Sequence, residues 1–115
     1  MSRSAELYLR DILDAAEAIG SFVRGLSVAD LEEDRKTRDA VVRNLETIGE
    51  AVKRLPPESL ADWPDVDWGG WARMRDVVAH QYFGVDVEVI WNAVEAEMPG
   101  LVVAVRTLLD GLPKP

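Results

Sequence analysis

Apolar residues recur at intervals of three and four along most of this 115-residue chain, and the recurrence is interrupted at prolines and glycines. That spacing matches the 3.6-residue turn of an α-helix and not the two-residue alternation of a strand. Leu9, Ile12, Leu13, Ala16, Ile19 and Val23 mark a first helix over about residues 4–26, with Gly25 and Ser27 near its end. Ser27 opens a second helical signal, with Asp30 three residues on in the pattern of a capping box. Residues 27–55 contain no proline and read either as one helix or as a short turn followed by a long helix from about Asp34. The apolar stripe of that helix is Val41, Leu45, Ile48, Val52 and Leu55. At about 100° per residue, Lys36, Arg43, Thr47, Glu50 and Arg54 fall on nearly the opposite side.

Pro56-Pro57 ends the long helix, because proline lacks an N–H and restricts the residue before it. Residues 56–67 read as a surface loop with one helical turn within 58–62. A third helix is predicted over 68–82, burying Trp71, Met74, Val78 and Val77. Phe83-Gly84 supplies a stop and Asp86 a cap for a fourth helix over 87–97, with Val89, Ile90, Trp91 and Val94 inside. Pro99-Gly100 predicts another break, followed by a last helix over 101–109 and a tail over 111–115. The expectation is an all-α chain, a single domain over residues 1–115 built as an up-and-down bundle of four or five helices.

Composition narrows the chemistry. The chain has no cysteine and one histidine, which excludes disulfides, thiolate metal sites and a cysteine nucleophile, and leaves no clear metal-ligand spacing. No metal or other cofactor is expected. No apolar run approaches the roughly 18 residues of a membrane span, and the first ten residues hold no signal-like apolar run. A cytoplasmic protein without a membrane partner is expected. The formal net charge of −8 opposes non-specific binding to nucleic acid, so an RNA substrate requires a local basic patch. Arg35, Lys36, Arg38, Arg43, Lys53 and Arg54 cluster on the second long helix and could form one, although such a stretch is more often a solvated face laced with ion pairs. Glu50 pairs most simply with Arg43 or Arg54 on its own stripe. Trp63, Trp68, Trp71 and Trp91 read as core or dimer contacts in preference to base-stacking platforms.

The lone histidine sits in Arg75-x4-His80-x-Tyr82. Imidazole titrates near neutral pH and suits general acid–base work, and a permanently charged guanidinium suits phosphate oxygens. Together the two groups are suited to proton transfer beside a phosphate whose charge is being stabilised. Positions five apart on a helix differ by about 140°, so joint action of Arg75 and His80 requires a local distortion, long reach or a second subunit, of which the second subunit is favoured. The plain alternatives are a hydrogen-bonded His80 at a helix end, an Arg75 ion-paired to Asp76 or Glu50, and a Tyr82 that only packs.

Residues 71–86, with Arg75, Asp76, His80, Gln81 and Tyr82, resemble the core of the HepT-like (DUF86) group of the HEPN superfamily, which extends an Arg-x4-6-His motif to His-x-Tyr. Residues 39–51 resemble the second-helix signature of that group, and Val89-Ile90-Trp91 and the turn at Pro99-Gly100 fall where it has such segments. The resemblance covers nearly the whole chain. Arg73 also satisfies the permitted gap to His80; Arg75 is preferred because a polar residue, Asp76, follows it, where the group often has asparagine.

The resemblance implies a metal-independent endoribonuclease with Arg75 and His80 catalytic and Asp76 supporting. Arg43, Arg54 and Arg73 are candidate RNA contacts. It implies a homodimer, an RNA substrate such as tRNA or mRNA, and the toxin role in a type VII-like toxin–antitoxin pair. Its partner would be an MntA-like nucleotidyltransferase that moves AMP onto Tyr82, since the chain carries no nucleotidyltransferase pattern of its own. AMP there would block RNA and repel its phosphates. The competing reading is a non-catalytic helical binding module or substrate partner of a nucleotidyltransferase. The acidic charge favours the second reading and the intact motif the first.

Overall fold

Helix boundaries in the computed structural model, which describes residues 3–80 and 86–112, fall where side-chain caps and glycine put them. Helix α1 spans Arg3–Val23 and ends before Gly25, whose φ of 77° places it in the left-handed region that terminates helices. The capping box at Ser27 forms in both directions: its hydroxyl accepts the Asp30 N–H, and the Asp30 carboxylate accepts the Ser27 N–H. The resulting α2, Val28–Glu33, stops at Asp34, which caps α3, Arg35–Lys53. Of the two readings of residues 27–55, the short element followed by a long helix is therefore correct. Asp34 accepts from both the Thr37 hydroxyl and the Thr37 N–H, and these bonds, the hydroxyl's foremost, lower its carboxyl pKa. Arg38 donates to the carbonyls of Leu31 and Glu32 and so ties α2 to α3.

One turn of helix, α4, occupies Pro57–Leu60 within the expected loop. The predicted third helix is divided into α5, Trp68–Ala72, and α6, Met74–His80, with a turn at Arg73. The interruption coincides with a close approach of backbones: a Cβ on Gly49 of α3 would lie 2.7 Å from the Trp71 carbonyl oxygen and 3.6 Å from that of Ala72. The interrupted turn is seated on the one α3 position that lacks a side chain. The predicted helix end at Tyr82, the stop at Gly84 and the tail beyond residue 112 lie outside the described residues.

Asp86 caps α7, Val87–Asn92, by accepting the Glu88 N–H. The chain does not break at Pro99-Gly100. It passes from α7 through a π-helical segment, Ala93–Glu97, directly into α8, Met98–Asp110. Pro99 sits in the first turn of α8, where a missing N–H is least harmful. The wider π turn, with the Met98 N–H on the Ala93 carbonyl, makes the junction without a loop.

The bundle is all-α among the described residues. Helix α1 packs against α3 and α8, and α3 also packs against α2, α5 and α6. One connected core results, centred on Leu9, Ile12 and Ile19 of α1, Val41, Leu45 and Ile48 of α3, and Leu101 and Val105 of α8. Complete burial of each large aliphatic side chain contributes roughly 1.5–3 kcal/mol. Leu31 of α2 and Ile90 of α7 join the same core. Val89, expected inside, is 42% exposed, because Ile90 and Val94 take the core-facing positions of that segment. No helix among the described residues is long and apolar enough to cross a membrane.

A polar groove holding the motif arginine

Helices α1, α3 and α6 enclose a groove of about 450 Å³. The polar stripe of α3 forms its floor with Arg43, Thr47, Glu50 and Arg54, beside Glu46 and Ala51. These residues share a side because they recur at three- and four-residue steps. Tyr8 and Asp11 of α1 form one wall, flanking the buried Leu9 and Ile12, and Arg75 of α6 enters from the other.

Gly49 brings the arginine in. A Cβ at that position would lie 3.6 Å from the Arg75 backbone nitrogen, so the start of α6 lies directly on α3. The next α3 residue, Glu50, then receives the side chain: Arg75 Nη1 donates to Glu50 Oε1 at 2.9 Å. Lys53 Nζ stands 3.8 Å from the same oxygen. The hydrogen bond from Arg75 is the foremost cause of a lowered Glu50 pKa, opposed by desolvation and assisted by the charges of Arg75, Lys53 and Arg54. The same bond raises the pKa of Arg75, to which Glu46 and Asp76 add weaker attractions.

A depressed carboxylate pKa means that the pair is complete at neutral pH and is lost only as pH falls through that lowered value. It stays constant across the range in which an ordinary imidazole titrates. Both side chains remain substantially exposed, so the pair's contribution is geometric more than energetic.

The structure sorts the basic residues singled out from the sequence. Arg43, Arg54 and Arg75 all line the groove. Arg73 does not line it; its guanidinium lies back along its own segment, with Nη1 3.1 Å from where a Cβ on Gly69 would be. Arg35 pairs with Asp39 at 3.6 Å, Arg38 is spent on the α2 carbonyls, and Lys53 approaches Glu50. Arg43 and Arg54 make no side-chain hydrogen bond or ion pair among the described residues. Glu50 therefore pairs with Arg75 and Lys53, and not with Arg43 or Arg54 as its stripe suggested; of the two carboxylates set out as plain ion-pair partners for Arg75, it is Glu50 and not Asp76 that hydrogen-bonds it.

Asp76 is exposed beside Arg75. The backbone of His80 closes α6, while its side chain and all of Tyr82 lie outside what the structure describes. Trp71 is buried, Trp68 and Trp91 pack against the core, and none of the four tryptophans lines the groove. Sequence reasoning missed Tyr8, Asp11 and Glu46. The only signal for the first two was their three-residue spacing beside the Leu9 and Ile12 stripe.

An all-helical bundle carrying Arg-x4-His, with the arginine anchored in a mixed-charge groove, defines a small helical protein of the HEPN class. Comparison with known proteins makes the assignment narrower. The chain belongs to the HepT-like ribonuclease family, whose model matches residues 12–108. A Thermococcus cleftensis protein named "Probable ribonuclease HepT" is 46% identical over 101 residues, covering 88% of this chain and 92% of the relative. A protein from Methanocaldococcus jannaschii, named as a candidate RNase, is 36% identical over 110 residues, 96% of this chain and 91% of the relative. Another candidate RNase, from Caldanaerobacter subterraneus, is 41% identical over 103 residues, 90% of this chain and 92% of the relative. No solved structure matches the chain significantly.

Proposed function

We propose that this chain is a single-domain, metal-independent endoribonuclease, the toxin of a type VII-like toxin–antitoxin pair, with Arg75 and His80 as its catalytic residues. The observation that carries the reading is the anchored motif arginine, held by Glu50 in a groove that two further arginines line. The names of the relatives support the same activity class.

In the proposed reaction the RNA 2′-oxygen forms a bond to the adjacent phosphorus as its proton passes to a base. The bond from phosphorus to the 5′-oxygen breaks, and the leaving oxygen takes up a proton. The products end in a 2′,3′-cyclic phosphate and a 5′-hydroxyl. His80 serves the proton transfers. Arg75 has five N–H donors, and one of them on Glu50 leaves others for the phosphate oxygens. Two copies of the chain bring two motifs to one cleft. The direct test incubates the purified protein in EDTA with total RNA and with tRNA. Fragments with cyclic phosphate ends support the reading. Intact RNA, from protein whose Tyr82 carries no adenylyl group, transfers support to a non-catalytic helical module, the reading that the net charge of −8 favours.

Glu50 acts through Arg75 and is a positioning residue. Glu50→Ala is expected to lower kcat roughly tenfold while KM changes little, because a misdirected guanidinium loses transition-state contacts first. Glu50→Gln keeps an oxygen acceptor and is expected to recover most of the rate. Equal losses in both variants would show that Glu50 does not act by orienting Arg75.

Regulation falls on Tyr82. Its phenol oxygen bonds to the α-phosphorus of ATP in the partner nucleotidyltransferase, pyrophosphate leaves, and the phenol proton is released. Intact mass spectrometry after incubation with partner and ATP should show one or more added adenylyl groups, absent from Tyr82→Phe. A mass gain that persists in Tyr82→Phe would remove the tyrosine from this role.

A further inference from the structure

Arg43 and Arg54 line the groove without a side-chain hydrogen bond or close ion pair among the described residues, while Lys53 and Arg75 are engaged by Glu50 and Arg54 acts on Glu50 only through its charge at longer range. We propose that the groove binds one unpaired nucleotide of a single-stranded RNA beside the position of the cut. Arg43 and Arg54 take phosphate oxygens, and Tyr8, Asp11 and Glu46 take the base. The inference rests on the ribonuclease reading and deepens it by naming the form of RNA.

Three features support a nucleotide over a bare phosphate track. The first is charge: a surface that only follows a backbone has no use for carboxylates, yet Asp11 and Glu46 share the groove with the arginines. Carboxylates accept hydrogen bonds from the amino groups of bases, and those groups are free on unpaired bases. The second is the half-buried Tyr8, an aromatic ring that packs on the core and borders the groove, where a base can stack. The third is size, since about 450 Å³ is within the range of sites for small ligands. Arg43 and Arg54, eleven positions apart, are separated by about 16 Å along α3, and both side chains are long enough to reach inward. A duplex presents its bases already paired and stacked, so it cannot deliver one into such a site.

The test uses the full chain carrying His80→Ala, so that bound RNA stays intact. The probes are a short fluorescent single-stranded RNA of mixed sequence and the same RNA annealed to its complement, each titrated over a range of salt. The single strand is expected to bind and the duplex to bind far more weakly. Arg43→Ala and Arg54→Ala should each weaken binding roughly tenfold and reduce the salt slope by about 0.7. Tyr8→Leu, which keeps an apolar side chain against the core, should weaken binding without changing the slope. Arg106→Ala, on α8, is the control and should bind like the parent. Circular dichroism establishes that each variant is folded, and the two arginine variants decide the matter if Tyr8→Leu is not. Unchanged affinity and slope in both arginine variants, or equal affinity for single strand and duplex, overturns the groove. RNA cleavage by the wild-type chain would still stand in that case. Neither binding nor cleavage of RNA overturns both.

Discussion

Replacing His80 with alanine is expected to lower RNA cleavage in EDTA by roughly 10²–10⁴-fold while the helical content is unchanged. His80 is the single histidine of the chain, and no other side chain type present titrates near neutrality without a perturbed pKa. On the proposed mechanism, loss of the imidazole therefore removes the proton carrier without a substitute. Arg75→Lys separates charge from geometry. Lysine keeps the charge but not the planar fork, so a single ammonium must serve both Glu50 and the phosphate. A partial loss is expected there and a larger one for Arg75→Ala. The pH profile gives an independent reading. Because Glu50 is held below the usual carboxylate range, a limb of the profile above that range that is lost in His80→Ala belongs to His80. Cleavage by His80→Ala at the parental rate would remove His80 from the chemistry.

Gly49→Val should damage both stability and activity. Even a Cβ at this position would lie 2.7 Å from a backbone oxygen, Trp71 O, which cannot rotate away as a side chain tip could. Two further methyl groups make the overlap worse. Forcing α5 and α6 off α3 is expected to cost roughly 1–3 kcal/mol. It also moves the Arg75 backbone relative to Glu50, and a displacement of about 1 Å at a catalytic group can cost on the order of 10²-fold in rate. Gly20→Ala is the contrasting substitution. Gly20 lies inside α1, and a Cβ there meets nothing within 4 Å. It should gain about 0.5–1 kcal/mol from helix propensity alone. Urea unfolding of the two variants, with cleavage rates on the folded protein, checks the pair. A Gly49→Val protein as stable and active as the parent would mean that the close approach positions nothing.

Most of the bundle was legible because its rules are local. Spacing identified the core stripes of α1 and α3, and Ser27 with Asp30 gave the α2 cap before any contact was known. The failures share a cause in tertiary structure. Gly69-Gly70 weakens the helix just before Arg73, but the close seat of this turn on Gly49, more than twenty positions away, is not visible in any local pattern. Pro99 reads as a breaker until the π turn before it shows that the proline opens a helix. The site divides in the same way. The motif marked Arg75 from sequence, and the stripe marked Arg43, Glu50 and Arg54, but their meeting depends on how α6 lies across α3. Tyr8 and Asp11 join them only because α1 packs alongside, which no short-range pattern encodes.

Helix α1 also has a kinetic consequence, since it is a wall shared by two partners that arrive at different times. Helix α3 follows after a short connection and meets one side of α1 by closing a small loop. Helix α8 meets another side only after nearly the whole chain has been traversed. Loop-closure entropy grows with the logarithm of length, and nearby contacts form faster than distant ones. The topology therefore predicts that the α1–α3 pair assembles first and that α8 docks last, an order that φ-values from conservative core substitutions in α1, α3 and α8 would check. The two helices that carry most of the groove belong to the early half, so the floor and Tyr8 wall of the site are expected to take shape before α8 docks.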